Sequence, residues 1–187
     1  MPREIRDAAS ELRLQIGHTS DFGSEDLRSA QRLLQRIFEG DFGDDDWAHA
    51  AGGTHVFAWK DDELIGHASL VSRQLLCCGR ALCTGYVEAV GVERAHQRVG
   101  VGGRMMELLE GKIAESFELG ALSASDVGAA FYQARGWLRW QGPLSAVTPS
   151  GVVRTEDEDG GVYVWPPTLS LDRAQPLAAD FRDGDIW

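Results

Sequence analysis

Residues 94–104 read RAHQRVGVGGR, placing three glycines (Gly100, Gly102, Gly103) between an apolar run and a segment of helical periodicity. Glycine at the mouth of a helix leaves backbone uncovered, and the first four N–H groups of any helix lack a partner within it. Such a mouth suits an anion, above all a phosphate. Known phosphate cradles can be tested against the spelling. A Walker loop ends in lysine and a hydroxyl residue, but Gly103 is followed by Arg104 and Met105. A Rossmann fingerprint needs glycine or alanine where Met105 stands. What fits is the hexapeptide Gln97-Arg98-Val99-Gly100-Val101-Gly102, a Gln/Arg-x-x-Gly-x-Gly/Ala pattern. The alternative reading of the same residues is a glycine-rich loop with no ligand.

The flanks give the loop a context. GYVEAVGV (85–92) is rich in strand formers and runs straight into it, and from Val101 to Phe117 Met105, Leu108, Leu109 and Ile113 recur at helical spacing. GALSAS (120–125) suits a short strand, and DVGAAFYQARG (126–136) a second helix closed by Gly136. Strand, helix, strand, helix in this order implies a parallel crossover. The first half reads differently. THVFAWK (54–60) and LIGHASLVSR (64–73) flank the turn DDE, and ALCTGYVEAVGV (81–92) follows the turn CGR, so three antiparallel neighbours are expected. Ahead of them, SEDLRSAQRLLQRIFEG (24–40) places Leu27, Ala30, Leu34, Ile37 and Phe38 on one helical face, with Ser24 as N-cap. Beyond Pro143 the sequence offers turns (TPSG, DGG) and a strand at Val162–Trp165. The expected class is α+β with a mixed sheet flanked by helices. Residues 1–12 are expected to form a disordered N-terminal segment and 13–187 a single domain.

Composition sets limits. The chain has 187 residues with 18 Lys plus Arg against 29 Asp plus Glu, a net charge of −11. That balance argues against nucleic acid and anionic membranes and favours a cationic partner, the bland alternative being solubility. Cys77, Cys78 and Cys83 form neither a disulfide framework nor zinc-ligand spacing, so no metal is expected. The N-terminus has no apolar signal region, and no run of eighteen apolar residues occurs anywhere, which points to the cytoplasm.

The hexapeptide after its strand, followed about thirty residues later by AAFYQARGW (129–137), resembles the GCN5-related N-acetyltransferases (GNAT). The resemblance implies the GNAT acyl-CoA N-acyltransferase fold, splayed at its central strand, with acetyl-coenzyme A as acetyl donor. Gly91 is compatible with a disruption of that strand. Coenzyme A contacts would fall on Val90, Gly91 and Val92, and on Gln97, Arg98, Val99, Gly100, Val101 and Gly102. Acetyl transfer to an amine needs a base, an oxyanion donor and an acid for the leaving thiolate. Glu88, flanked by apolar residues, is the candidate base; its alternative role is a salt bridge or an outward-facing strand position. Tyr132 is the candidate acid, its alternative being packing beside Phe131. The amide near Val90 is the candidate oxyanion donor.

A narrower resemblance runs from about Leu14 to Trp187. GDFGDDDW, HAS, GYVEAVGV, LGALSAS, YQARGW, GPLSAVTPSG, RTEDEDGGVYV and the ending DGDIW look like the bacterial aminoglycoside 2'-N-acetyltransferases. This implies acetylation of the 2'-amine of aminoglycoside antibiotics, hence antibiotic resistance, by a cytoplasmic homodimer. By position, substrate contacts would carry over to Asp41, Asp46, Glu88, Ala89, Ser123, Asp157, Glu158, Asp185 and the terminal carboxylate of Trp187. Glu158 stands where relatives typically have aspartate. Individually these acids also read as helix caps or exposed turns. The alternatives in function are acetylation of another polyamine, amino sugar or peptide amine, and a coenzyme A-binding module without turnover.

Overall fold

A computed structural model describes residues 1–6, 11–165 and 171–187. Its contacts separate into two compact units, Met1–Val71 with Val87–Gly111, and Ser72–Tyr86 with Lys112–Trp187. In chain order the first elements are strands β1 (Arg3–Arg6) and β2 (Leu12–His18), helices α1 (Ser24–Ile37) and α2 (Asp44–Ala50), strands β3 (Thr54–Lys60), β4 (Glu63–Cys77) and β5 (Arg80–Val92), and helix α3 (Val101–Ser116). The last three pass from one unit into the other.

In the first unit β1, β2, β3 and β4 are successive antiparallel neighbours, with registers such as Arg3↔Ile16, Ile16↔Val56 and Val56↔Ala68. The polar start of the chain, expected to be disordered, therefore supplies a paired edge strand; residues 7–10 of that expectation lie outside the described residues. Helix α1 buries Ala30, Leu33 and Leu34 and packs Leu27 and Ile37 beside Phe22, Phe57 and Leu64. Leu33 and Leu34, fully buried, contribute about 1.5–3 kcal/mol each. Two details differ from the sequence reading. Phe38 lies past the helix end and stacks on Phe42 at 5.8 Å, and the N-cap is Gly23, with Ser24 already helical. Helix α2 begins at Asp44, because Asp46 in its first turn accepts a 2.7 Å hydrogen bond from the Gly43 amide and three acids there complement the helix dipole.

The second unit holds β6 (Leu119–Ser123), α4 (Asp126–Ala134), β7 (Leu138–Arg139), β8 (Leu144–Thr148), β9 (Gly151–Arg154), β10 (Val162–Trp165) and β11 (Leu177–Ala179). The first part of β5 pairs in parallel with β6 (Thr84↔Leu119, Tyr86↔Ala121), so the crossover expected from the sequence is present. β10 lies antiparallel between β6 and β7. β8 and β9 form a hairpin, and β11 joins β8 in parallel and the end of β4 in antiparallel sense. Trp137, Trp140, Leu144 and Tyr163 are buried in this unit. No helix among the described residues is long and apolar enough to cross a membrane.

Candidate functional site

Strand β5 is interrupted at Ala89, whose φ of +52° is a left-handed conformation in the middle of a strand. Val87 and Gly91 are buried and the three residues between them half-buried, a break in the strict alternation of a strand. Neighbouring carbonyls, which ordinarily alternate in direction, are both bonded by side chains of one strand here. The Ser69 hydroxyl donates to the Glu88 carbonyl at 3.1 Å, and His67 Nδ1 lies 2.9 Å from the Ala89 carbonyl. This is a bulge that re-aims the chain at Glu88 and Ala89. The ladder between β5 and β6 runs from Thr84↔Leu119 to Tyr86↔Ala121.

The glycine-rich loop follows directly. Gln97 Nε2 donates to the Val92 carbonyl at 2.9 Å and ties the loop back to the strand end. Arg98 and Gly100 take left-handed values of +61° and +94°. The first intrahelical bond of α3 runs from the Arg104 amide to the Gly100 carbonyl at 3.1 Å, so the amides of Val101, Gly102 and Gly103 precede the ladder and are not used by it. A Cβ on Gly100 would meet nothing within 4 Å, which leaves open space over the turn. These donors, this space and the dipole of a 16-residue helix fit a pyrophosphate. Gly91, read from sequence as the disruption, has another reason: a Cβ there would come within 3.0 Å of Leu34 and Ile37, so it admits α1 against β5.

In the second unit Tyr132 is buried on α4, its ring meeting Phe131 at 5.1 Å and Trp137 at 6.1 Å. Burial pushes its hydroxyl above the ordinary phenol range, so it keeps its proton at neutral pH. Glu158 closes a 3-10 turn, Glu156–Glu158, and its carboxyl is raised, first by burial, then by the charges of Asp185 and Asp157. Those three acids are therefore electrostatic neighbours. The Trp187 indole, 6% exposed, donates to Thr155 Oγ1 at 2.9 Å. Arg73, stacked over Tyr86 at 4.7 Å, holds the preceding tail through Asp180 Oδ1 at 2.8 Å and the Ile186 carbonyl at 2.7 Å.

Residues 20–138 match the model of the acetyltransferase (GNAT) family. The chain is 44% identical over 174 residues, 91% of its length and 89% of the relative's, to an aminoglycoside 2'-N-acetyltransferase of Mycolicibacterium fortuitum. The chain belongs to the GNAT acetyltransferase family. It is an acetyl-transferring enzyme. Solved structures agree in fold. Escherichia coli ElaA superposes with TM-score 0.58 at 18% identity, covering 82% of this chain and 98% of that one. An acyl-CoA N-acyltransferase from Pseudomonas aeruginosa gives 0.58 at 17% identity over the same shares, and Eis1 of Mycobacterium abscessus gives 0.57 at 21% over 71% of this chain and 33% of that one.

Within this GNAT chain the sequence-derived residues divide between the two units. Asp41, Asp46, Glu88, Ala89, Val90 and the loop to Gly102 belong to the first; Ser123, Tyr132, Asp157, Glu158, Asp185 and Trp187 to the second. Asp41 is exposed just before α2, and Ser123 is exposed at the end of β6. Asp46 caps α2, as above, whatever else it touches. Sequence reasoning missed His55 and His67, both fully buried beneath the bulge. Two histidines pointing inward from strands β3 and β4 were the available signal.

Proposed function

We propose that this enzyme transfers the acetyl group of acetyl-coenzyme A to the 2'-amine of aminoglycosides. The observation that carries the reading is the 44% identity to an aminoglycoside 2'-N-acetyltransferase along nearly the whole of both chains. Acetyl-coenzyme A, when bound, supplies the thioester. Val90–Val92 and the loop Gln97–Gly102 would hold it, through strand-edge groups and the amides at the mouth of α3. An amine reaches the reaction as an ammonium, and Glu88 takes up its proton, through water. The Val90 amide donates to the oxygen that gains charge, and Tyr132, protonated at neutral pH, gives a hydrogen bond to the departing sulfur. Asp41, Asp46, Glu88 with Ala89, Ser123, Asp157, Glu158, Asp185 and the Trp187 carboxylate recognise the ammonium and hydroxyl groups of the substrate. The same reading makes the enzyme a cytoplasmic homodimer, which sedimentation and fractionation test.

Thiol release from acetyl-coenzyme A is measured against aminoglycosides, with and without a 2'-amine, polyamines and peptides. Turnover only with drugs bearing the 2'-amine supports the proposal; turnover confined to peptides rejects it. Glu88→Gln is expected to lower kcat about 100-fold, the usual contribution of a general base.

A further inference from the structure

Beneath the bulge a line of hydrogen bonds crosses the sheet. Thr19 Oγ1 lies 2.9 Å from His55 Nε2, His55 Nδ1 lies 2.9 Å from His67 Nε2, and His67 Nδ1 lies 2.9 Å from the Ala89 carbonyl. Both imidazoles are 0% exposed. Their surroundings are aromatic: the Trp47 ring sits 6.0 Å from His55 and 5.8 Å from His67, and Phe57 5.3 Å from His67.

The end of this line fixes its direction. A carbonyl oxygen only accepts, so His67 Nδ1 carries the hydrogen. In a neutral ring His67 Nε2 is then a lone pair, and the nitrogen facing it, His55 Nδ1, must be an N–H. His55 Nε2 is then a lone pair, and the single hydrogen of the Thr19 hydroxyl goes to it at 2.9 Å rather than to the Gly53 carbonyl at 3.2 Å, which already accepts from the Thr19 amide; the hydroxyl itself accepts from the Gly52 amide at 2.9 Å. Every donor in the line points toward β5. Burial keeps both rings neutral, lowering His55 to about 4 and His67 to about 3 from 6.5. Because the last acceptor cannot pass a proton on, the line orients and does not conduct.

We propose that His67, whose tautomer the Ala89 carbonyl sets and His55 and Thr19 complete, is a positioning residue for acetyl transfer: it holds the Ala89 carbonyl toward β4 and so fixes the bulge that aims Glu88 and the amides after it. This role rests on the reading of that bulge as the place of acetyl transfer. Ser69, two residues on along the same strand, holds the adjacent Glu88 carbonyl. Both peptide groups around the left-handed residue are thus clamped, which is what keeps a strained backbone in one geometry. Trp47 packs at a tilt against both rings from α2, whose first turn contains Asp46, so the same latch supports that helix.

The test has two arms. In the first, long-range 1H–15N spectra of the labelled wild-type chain, without ligand at pH 7, should show two rings protonated at Nδ1 and bare at Nε2, the minority tautomer of free imidazole side chains. In the second, His67→Leu should lower kcat about 100-fold with the amine KM changed less than about threefold, as expected for displacement of reacting groups. His67→Asn, whose Nδ2 lies as many bonds from Cβ as Nδ1, should recover to within about tenfold of wild type. Should His67→Leu not fold, Thr19→Val removes the donor at the far end of the line and leaves His55 Nε2 without it, with an expected fall of about threefold to tenfold restored by Thr19→Ser. An Nε2–H tautomer at either ring, a folded His67→Leu with wild-type kcat, or an asparagine variant no better than leucine would overturn the latch. A wild-type chain with the expected tautomers but no acetyl transfer would overturn the functional reading and leave the latch as structure only.

Discussion

Ala89 shows what a residue can hide. Its left-handed backbone breaks β5, yet alanine carries no mark of that conformation, so the sequence points instead to Gly91, which serves the packing of α1. Glycine advertises permissiveness and says nothing of whether a positive φ or a close contact requires it. If the bulge is strained at Ala89, Ala89→Gly should leave stability unchanged or raise it by up to about 1 kcal/mol, the relief of the left-handed conformation less the entropy added to the unfolded chain. Ala89→Val should cost about 2 kcal/mol or more, since β-branched residues are outliers at positive φ. Urea midpoints at constant slope decide the matter; a valine variant as stable as wild type would remove the strain. Glu158 supplies a second test. Its carboxyl is raised by burial, Asp185 and Asp157, and a polycationic drug beside it would reverse that and expel a proton. Titrations in buffers of different ionisation enthalpy, just above the ordinary carboxylate range, should register proton release that Glu158→Gln abolishes.

Long periodic elements were legible because their residues obey local rules: α1, α3, α4, β3, β4 and β5 all appear where spacing and turn residues place them. Of the short ones, β6 and β10 were legible and β8, β9 and β11 were not. These three are at most five residues long: β8 and β9 close a small hairpin, and β11 exists through distant partners, lying against both β8 and the end of β4. Helix α2 was obscured by its own chemistry, for DDDW reads equally as a ligand cluster and as a capped helix start. The entry to α3 was legible as bare backbone before a helix, its use by an anion belongs to the proposal, and two glycines separate the causes. Gly100→Ala meets no steric obstacle but forces alanine to a φ of +94°, so the cost is in the backbone itself. It should weaken coenzyme A binding about tenfold with a smaller loss of stability. Gly91→Ala meets side-chain tips of Leu34 and Ile37 at 3.0 Å and should cost about 1–2 kcal/mol of stability. Calorimetry and melting of the two variants should therefore diverge; equal effects on affinity would contradict the assignment of the loop.

Across the whole chain, charge is the property that composition announced and the proposed substrate needs. With a net charge of −11, aminoglycoside affinity should fall steeply as salt is added, and a dissociation constant indifferent to salt would count against the acidic contacts. Stability follows a different group of residues. In the folded state His55 and His67 resist protonation until about pH 4 and about pH 3, because burial excludes the charge and each also faces a neighbouring histidine, His18 for the first and His55 for the second. In the unfolded chain both take up protons near 6.5. Between those values the unfolded state binds more protons, so unfolding free energy must fall as pH falls, by up to about 1.4 kcal/mol per pH unit for each histidine. The carboxyls held low in the fold, Glu4, Asp21, Glu25, Asp159 and Asp172, act in the same direction but below their ordinary 3.8 to 4.5, and Glu158, held high, acts in the opposite one. The interval from 6.5 down to the carboxylate range therefore belongs chiefly to the two histidines. Urea unfolding across that interval should show a declining midpoint, and His67→Asn should reduce the decline by about half. A midpoint that stays level would mean the rings are charged in the fold, with N–H on both nitrogens of each, and the neutral tautomers assigned to the line beneath Ala89 would fall.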